Sequence, residues 1–168
     1  MVAEIVTGMC GGNFAGIVYG HCMTYAPSSR PFYDADSHIM ELPNFLIDYA
    51  DPAIRDQIRP VNYSASLVTD EEVDVIVANG SRHSTAHVAA QVALGDRLIA
   101  ESKEIQALGA FDRDDRSVAM DLLGFKKQLV FATHSVVTPF SASKNLPDDI
   151  RYGATRAHNR AMSEFVAN

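Results

Sequence analysis

The chain has 168 residues, 47% of them hydrophobic and 21% charged, which is enough apolar material for one ordinary globular core and too much for a disordered chain. A formal net charge of -7 and a sequence pI near 5.2 leave no basic surplus to neutralise phosphates, so nucleic acid and anionic membranes are excluded as expected partners in favour of a small molecule or another protein. Cys10 and Cys22 are the only cysteines, too few for a disulfide framework or a thiolate zinc site, and a reducing, cytoplasmic setting is expected.

Residues 1–31 read as a poorly defined N-terminal extension. Val2 to Cys22 is mildly apolar, but Glu4, Asn13 and repeated glycines interrupt it, so neither a secretory signal nor an anchor is expected, and Met23 is an alternative start. Gly11-Gly12 lacks the strand and spacing of a phosphate loop. Phe32 to Met40 reads as a short strand whose alternation puts Asp34, Asp36 and His38 on one face. Pro43, Pro52 and Pro60 then break the chain into loops and short helices, with a weaker strand candidate at Tyr63 to Leu67.

Thr69 and Glu72 form a capping-box start for a helix that runs to about Ala78 and is stopped by Gly80. Ser84 to Glu104 is Ala-rich with Val88, Val92, Leu98 and Ile99 near helical spacing, and Gly95 divides it. Asp114 is the candidate N-cap of the next helix and Gly124 its stop. Gln128 to Thr133 reads as a buried strand, and helix, glycine, buried strand is an α/β signature. Pro147, Asp148 and Asp149 open a last helix with an apolar stripe at Ile150, Ala154, Ala157, Ala161 and Phe165, which no later segment is expected to cover.

The strongest chemical signal is Asp36-Ser37-His38. Two residues apart on a strand, a carboxylate and an imidazole project the same way and can converge on one cation, although a hydrogen-bonded surface pair has the same spacing. The stretch Tyr33 to Pro43, with Asp36, His38 and Glu41 inside it, resembles the first-strand motif of amidohydrolase-related proteins, in the branch that includes aminocarboxymuconate-semialdehyde decarboxylase. Asp121 to Thr133 is similar to the helix and second strand of that branch, and Ala157-His158-Asn159-Arg160 with Glu164-Phe165 resembles the helix that follows.

The resemblance implies the N-terminal part of a (β/α)8 TIM barrel over residues 32–168, incomplete in this chain, with an insertion-like region at about 44–110 and a homo-oligomer expected at full length. It also implies a single divalent metal, zinc or manganese, held in part by Asp36 and His38. Many relatives carry histidine at the first position, so Asp36 is a departure that leaves the metal open. The implied activity is metal-dependent hydrolysis or nonoxidative decarboxylation of a small carboxylate, amide or ester substrate, with the remaining ligands and the catalytic acid or base expected beyond Asn168. The alternative is a non-catalytic α/β interaction module in which the pair is structural and the exposed stripe of the last helix docks a partner.

Other candidates rank lower. His134, just past the second strand, is a weak substrate contact or merely a hydrogen bond to a loop, and Glu41 is a weak candidate for the layer behind the metal or for a loop cap. His83 and His87 are four apart and could clamp a metal from one helix face, but a solvated or cap-proximal pair is the plainer interpretation. Arginines interleave the acidic run Asp112 to Asp115, which reads as a solvated helix start, and His158, Asn159 and Arg160 read as facing solvent or a neighbouring helix.

Overall fold

The computed structural model describes residues 25–27, 29–135 and 145–167. The expectations placed on Cys10, Gly11, Gly12, Cys22 and Met23 fall outside them. The elements in chain order are β1 (Phe32–Ile39), α1 (Asp70–Ala78), α2 (Thr85–Val92), α3 (Leu98–Glu101), α4 (Arg113–Leu123), β2 (Phe125–Ala132) and α5 (Asp148–Phe165). Short 3-10 turns lie at Arg55–Gln57, Gly95–Arg97 and Glu104–Gln106. The protein is mixed α/β, and β1 and β2 pair in parallel as expected of consecutive strands joined through helices.

Local signals placed most boundaries. At α1 the Thr69 hydroxyl accepts from the Glu72 N–H while the Glu72 carboxylate accepts from the Thr69 N–H, so the capping box is complete. Gly124 closes α4 at φ +77°, in the left-handed region that suits glycine. The N-cap of that helix is Asp112 rather than Asp114, because the Asp112 carboxylate accepts from the N–H groups of Asp114 and Asp115. The Ala-rich stretch breaks near Gly95, as expected, into α2, a 3-10 turn and α3. Tyr63 to Leu67 is not a strand but a turn, in which Ser66 bonds back to Tyr63 through both its N–H and its hydroxyl.

A second correction concerns β1 itself. The register with β2 slips between Asp34 and Ser37, where the Asp34 carboxylate accepts the Asp36 N–H at 3.1 Å. This local turn makes a bulge, and a bulge reverses the alternation beyond it. Asp34 therefore joins Ser37 in the network of Arg116 on one side, while Asp36 and His38 meet each other on the other.

Three apolar clusters hold the fold. Met40, Tyr63, Val68, Val73, Ile76, Ile105 and Ala110 surround the end of β1, and Leu98, Leu108, Ala119 and Leu123 join α3 to α4. The third packs Ile150, Ala154 and Ala157 of α5 against Leu46, Ala50 and Ile54. The stripe of α5 is thus covered, contrary to expectation, by the segment that precedes the first helix, and Ala161 is buried as well. Arg156 and Arg160 seal this contact by pairing with Asp51 at 3.1 and 2.8 Å. Those two cations hold the Asp51 carboxyl below its ordinary range.

One close approach ties α4 to the sheet. Gly109 has φ +74°, and a Cβ there would overlap the backbone of Arg116. Gly80 has a similar φ of +73° with open space around it. Urea denaturation is expected to show Gly80→Ala losing about 1 kcal/mol from the left-handed backbone alone and Gly109→Ala about 3 kcal/mol, as backbone and overpacking penalties combine.

Candidate metal centre

Two ionic groups, half-buried Arg116 and buried Glu41, build the C-terminal end of the strand pair. Arg116 of α4 donates from Nε to Gln128 Oε1 at 3.0 Å, from Nη1 to the Gly109 carbonyl at 2.9 Å, and from Nη2 to Ser37 Oγ at 2.8 Å and the His38 carbonyl at 2.9 Å. Gln128 in turn donates to Asp34 at 3.1 Å. Burial is the main influence lowering the Arg116 pKa from its ordinary value, and the Asp34 carboxylate opposes it. The planar fork thereby joins β1, β2 and the loop before α4.

Glu41, only 1% exposed, lies two residues past β1. Its carboxylate accepts from the backbone N–H groups of Thr133, His134 and Ser135, at 2.9 to 3.2 Å, and from the Ser135 hydroxyl at 2.7 Å. These are the donors of the chain leaving β2, so the acidic side chain takes the place of a third strand or a helix cap there. The Tyr63 hydroxyl donates to the Glu41 carbonyl at 2.6 Å. Burial, and then the neighbouring Glu41 charge, hold the Tyr63 phenol well above its usual range. Glu41 is therefore an organiser of the loop that carries Thr133 and His134.

On the opposite face His38 and Asp36 meet, with Nε2 3.3 Å from Oδ1. Their side chains are 49% and 86% exposed, so an ion in solution can reach both. The Thr133 hydroxyl donates to the Ile39 carbonyl at 2.6 Å, so toward His38 Nδ1, 3.3 Å away, it is an acceptor, and toward Nε2 the Asp36 carboxylate likewise only accepts. A neutral imidazole has one N–H for these two acceptors. A cation between Nε2 and Asp36 Oδ1, with the ring hydrogen on Nδ1, would satisfy both.

A zinc ion with ligands at about 2.0–2.2 Å spans a tetrahedral edge of about 3.4 Å, so the donor spacing fits one edge of such a shell. Among the described residues no group of three or more His, Cys, Asp or Glu side chains is placed to hold a metal. Asp36 and His38 thus supply a fitting pair and no further ligand.

The other predicted residues lie apart from this pair. The His134 ring packs edge-on to Tyr63 with centroids 5.2 Å apart, and its Nε2 is buried without a hydrogen-bond partner among the described residues. His83 precedes the N-cap of α2 rather than sharing a helix face with His87, and both rings bond the backbone at Ile105 and Gln106 instead of standing in solvent. His158 lies edge-on to Phe45 at 6.4 Å. A polar depression of about 590 Å³, lined in part by Asn62, Tyr63, Ser64, Asp70 and Asp74, includes neither Asp36 nor His38.

Arg116, Thr133 and Ser135 were absent from the sequence-based candidates. Thr133 and Ser135 flank His134 at the end of a strand, which is the one local hint of their role. No family model, curated protein or solved structure matches the chain. Among the described residues no helix is long and apolar enough to cross a membrane.

Replacing Glu41 by Gln would turn an amide donor toward several N–H donors. Glu41→Gln is expected to lower unfolding stability by about 3 kcal/mol, measured by urea denaturation, because buried donors lose a charged acceptor. Glutamine at exposed Glu71 is expected to change it by less than about 0.5 kcal/mol.

Proposed function

We propose that the protein is a metal-dependent enzyme of the amidohydrolase type, a hydrolase or nonoxidative decarboxylase of a small organic carboxylate, amide or ester. In this reading β1 and β2 are the first two strands of a TIM barrel, and Asp36 and His38 are two ligands of a zinc or manganese ion. The observation that carries it is the pairing of His38 Nε2 with Asp36 Oδ1 at 3.3 Å, at the C-terminal end of a strand that runs parallel to the next. Barrel enzymes place their chemistry at that end. The resemblance of Tyr33 to Pro43 to the first-strand motif of amidohydrolase-related proteins supports the same reading.

When bound, the ion would supply Lewis acidity, activating a water or polarising a substrate carbonyl or carboxylate. Asp36 would contribute an anionic oxygen, and His38 the lone pair of Nε2. Thr133 would hold the imidazole in its ligating tautomer by accepting from Nδ1. Glu41 would keep Thr133 in place through the Thr133 N–H. His134 is the residue nearest in sequence for a substrate contact.

The exposed sheet face also favours a barrel. Tyr33, Leu129 and Phe131 are 62%, 57% and 42% exposed, whereas parallel sheets are covered on both faces. A ligand set of two among the described residues favours the second reading, a non-catalytic module that docks a protein and in which the Asp36–His38 pair is structural.

Calorimetric titration of zinc into the 168-residue chain separates the two. Two protein ligands leave the other positions to water, so a dissociation constant weaker than roughly 1 μM is expected. Asp36→Asn and His38→Ala should each abolish this binding, and Thr133→Val, which frees the imidazole, should weaken it about tenfold. Zinc binding that survives His38→Ala would sink the assignment of the pair. No binding by the wild-type chain would favour the docking module.

A further inference from the structure

A histidine pair that the candidate metal centre does not use lies between α1 and α4. The rings of His83 and His87 are 4.2 Å apart and inclined by 33°. His83 Nε2 is 3.0 Å from the Ile105 carbonyl oxygen, and His87 Nε2 is 2.9 Å from that of Gln106. A carbonyl only accepts, so each Nε2 carries a hydrogen and, in a neutral ring, each Nδ1 bears the lone pair. Nδ1 of His83 is buried with no partner among the described residues. A second proton there would find no acceptor and would stand against another imidazole.

The backbone that the pair grips is a support of β1. Glu104, at the start of the gripped turn, has φ +51°, a left-handed conformation unusual for a residue with a side chain. Beyond the turn, the Gly109 carbonyl accepts from Arg116 and the Ala110 carbonyl accepts from the N–H of Met40, directly after β1. Letting go of residues 105 and 106 would relax the turn and slacken both of these contacts.

We propose that His83, stacked on His87, is the proton-sensitive element of a latch, which with His83 neutral ties residues 105–106 to the start of α2 and on protonation of His83 frees the 104–110 stretch. The groups around it are the Phe111 ring 4.7 Å from His83, Asp112 and Asp115 on α4, Arg82 paired with Asp112 at 3.7 Å, and Glu72 of α1, which accepts from Gln106 at 3.0 Å. Burial, and then His87, push the His83 pKa down, against the pull of the Ile105 carbonyl and Asp112. Burial, and then Asp112, push the Asp115 carboxyl up. The sign follows from the depressed His83 value. The freed state binds the proton more readily than the latched one, so the latch is fully stabilising above the ordinary histidine value of about 6.5 and weakens as pH falls through the lower folded value. This inference is independent of the proposed metal chemistry.

Hydrogen-exchange mass spectrometry on the 168-residue chain tests it, with rates corrected for intrinsic exchange. Protection of the amides in 104–110 should fall several-fold between about pH 7.5 and pH 5.5, while α5 stays protected. In the double variant His83→Gln/His87→Gln each amide can still donate to the same carbonyl and nothing in the pair titrates, so protection should be equal at both pH values. An unchanged wild-type profile would overturn the latch, as would a double variant that keeps the wild-type pH response, since that response would belong to Asp112, Asp115 or Glu72. If the double variant does not fold, long-range nitrogen-15 spectra of the wild-type imidazoles decide. Hydrogen on Nε2 of both rings at neutral pH, with His83 titrating in step with the loss of protection, supports the proposal, and hydrogen on either Nδ1 overturns it.

Discussion

The carboxylate of Glu41 carries a full complement of hydrogen bonds in a place where water does not reach it, and the end of the sheet is arranged around that fact. A buried carboxylate is tolerated only where donors replace its hydration. Here they come from the backbone of three consecutive residues, Thr133, His134 and Ser135, and from one hydroxyl. Residues 133–135, directly after β2, lie in neither helix nor strand, so the acid and these N–H groups satisfy each other. The position of the Thr133 hydroxyl, and through it the ring of His38, follows from this single contact.

Arg116 does the complementary work on the other side of β1. A two-stranded parallel sheet has few ladder bonds and cannot stand by itself. The guanidinium adds four donors, spread over β1, β2 and the loop that begins α4, and Gly109 allows the close backbone approach that puts it there. Asp34 lies near this cation only because the bulge at residues 34–37 turned it away from Asp36 and His38. The bulge thus divides three acidic and imidazole side chains into a structural one and a ligand-like pair.

The region between the strands builds much of the core. Tyr63, Val68, Val73, Ile76 and Ile105 supply most of the cluster around Met40, and Leu46, Ala50 and Ile54 cover the apolar stripe of α5. Residues 44–110, which the family resemblance sets apart as insertion-like, provide the apolar surface that the end of β1 and α5 bury. Each such contact joins residues far apart in sequence, which is why periodicity alone could not reveal it.

The amino-acid sequence by itself determined what short-range chemistry decides. The Thr69–Glu72 capping box, the helix stop at Gly124, the break at Gly95 and the extent of α5 rest on interactions within a few residues, and all were legible. The Asp36-Ser37-His38 spacing also placed carboxylate and imidazole side by side, because that juxtaposition is a property of one strand. Tertiary structure decided the rest. The partners of Ser37, His38 and Glu41 are Arg116, Thr133 and Ser135, residues 79 or more positions away in the chain, as the separations of their hydrogen bonds record. His83 and His87 read as a solvated or cap-proximal pair, and they do flank the Ser84 cap, but their bonds to the backbone at 105–106, about 20 residues on, were not legible. A polar side chain's partners across the fold are set by packing, and no local pattern encodes them.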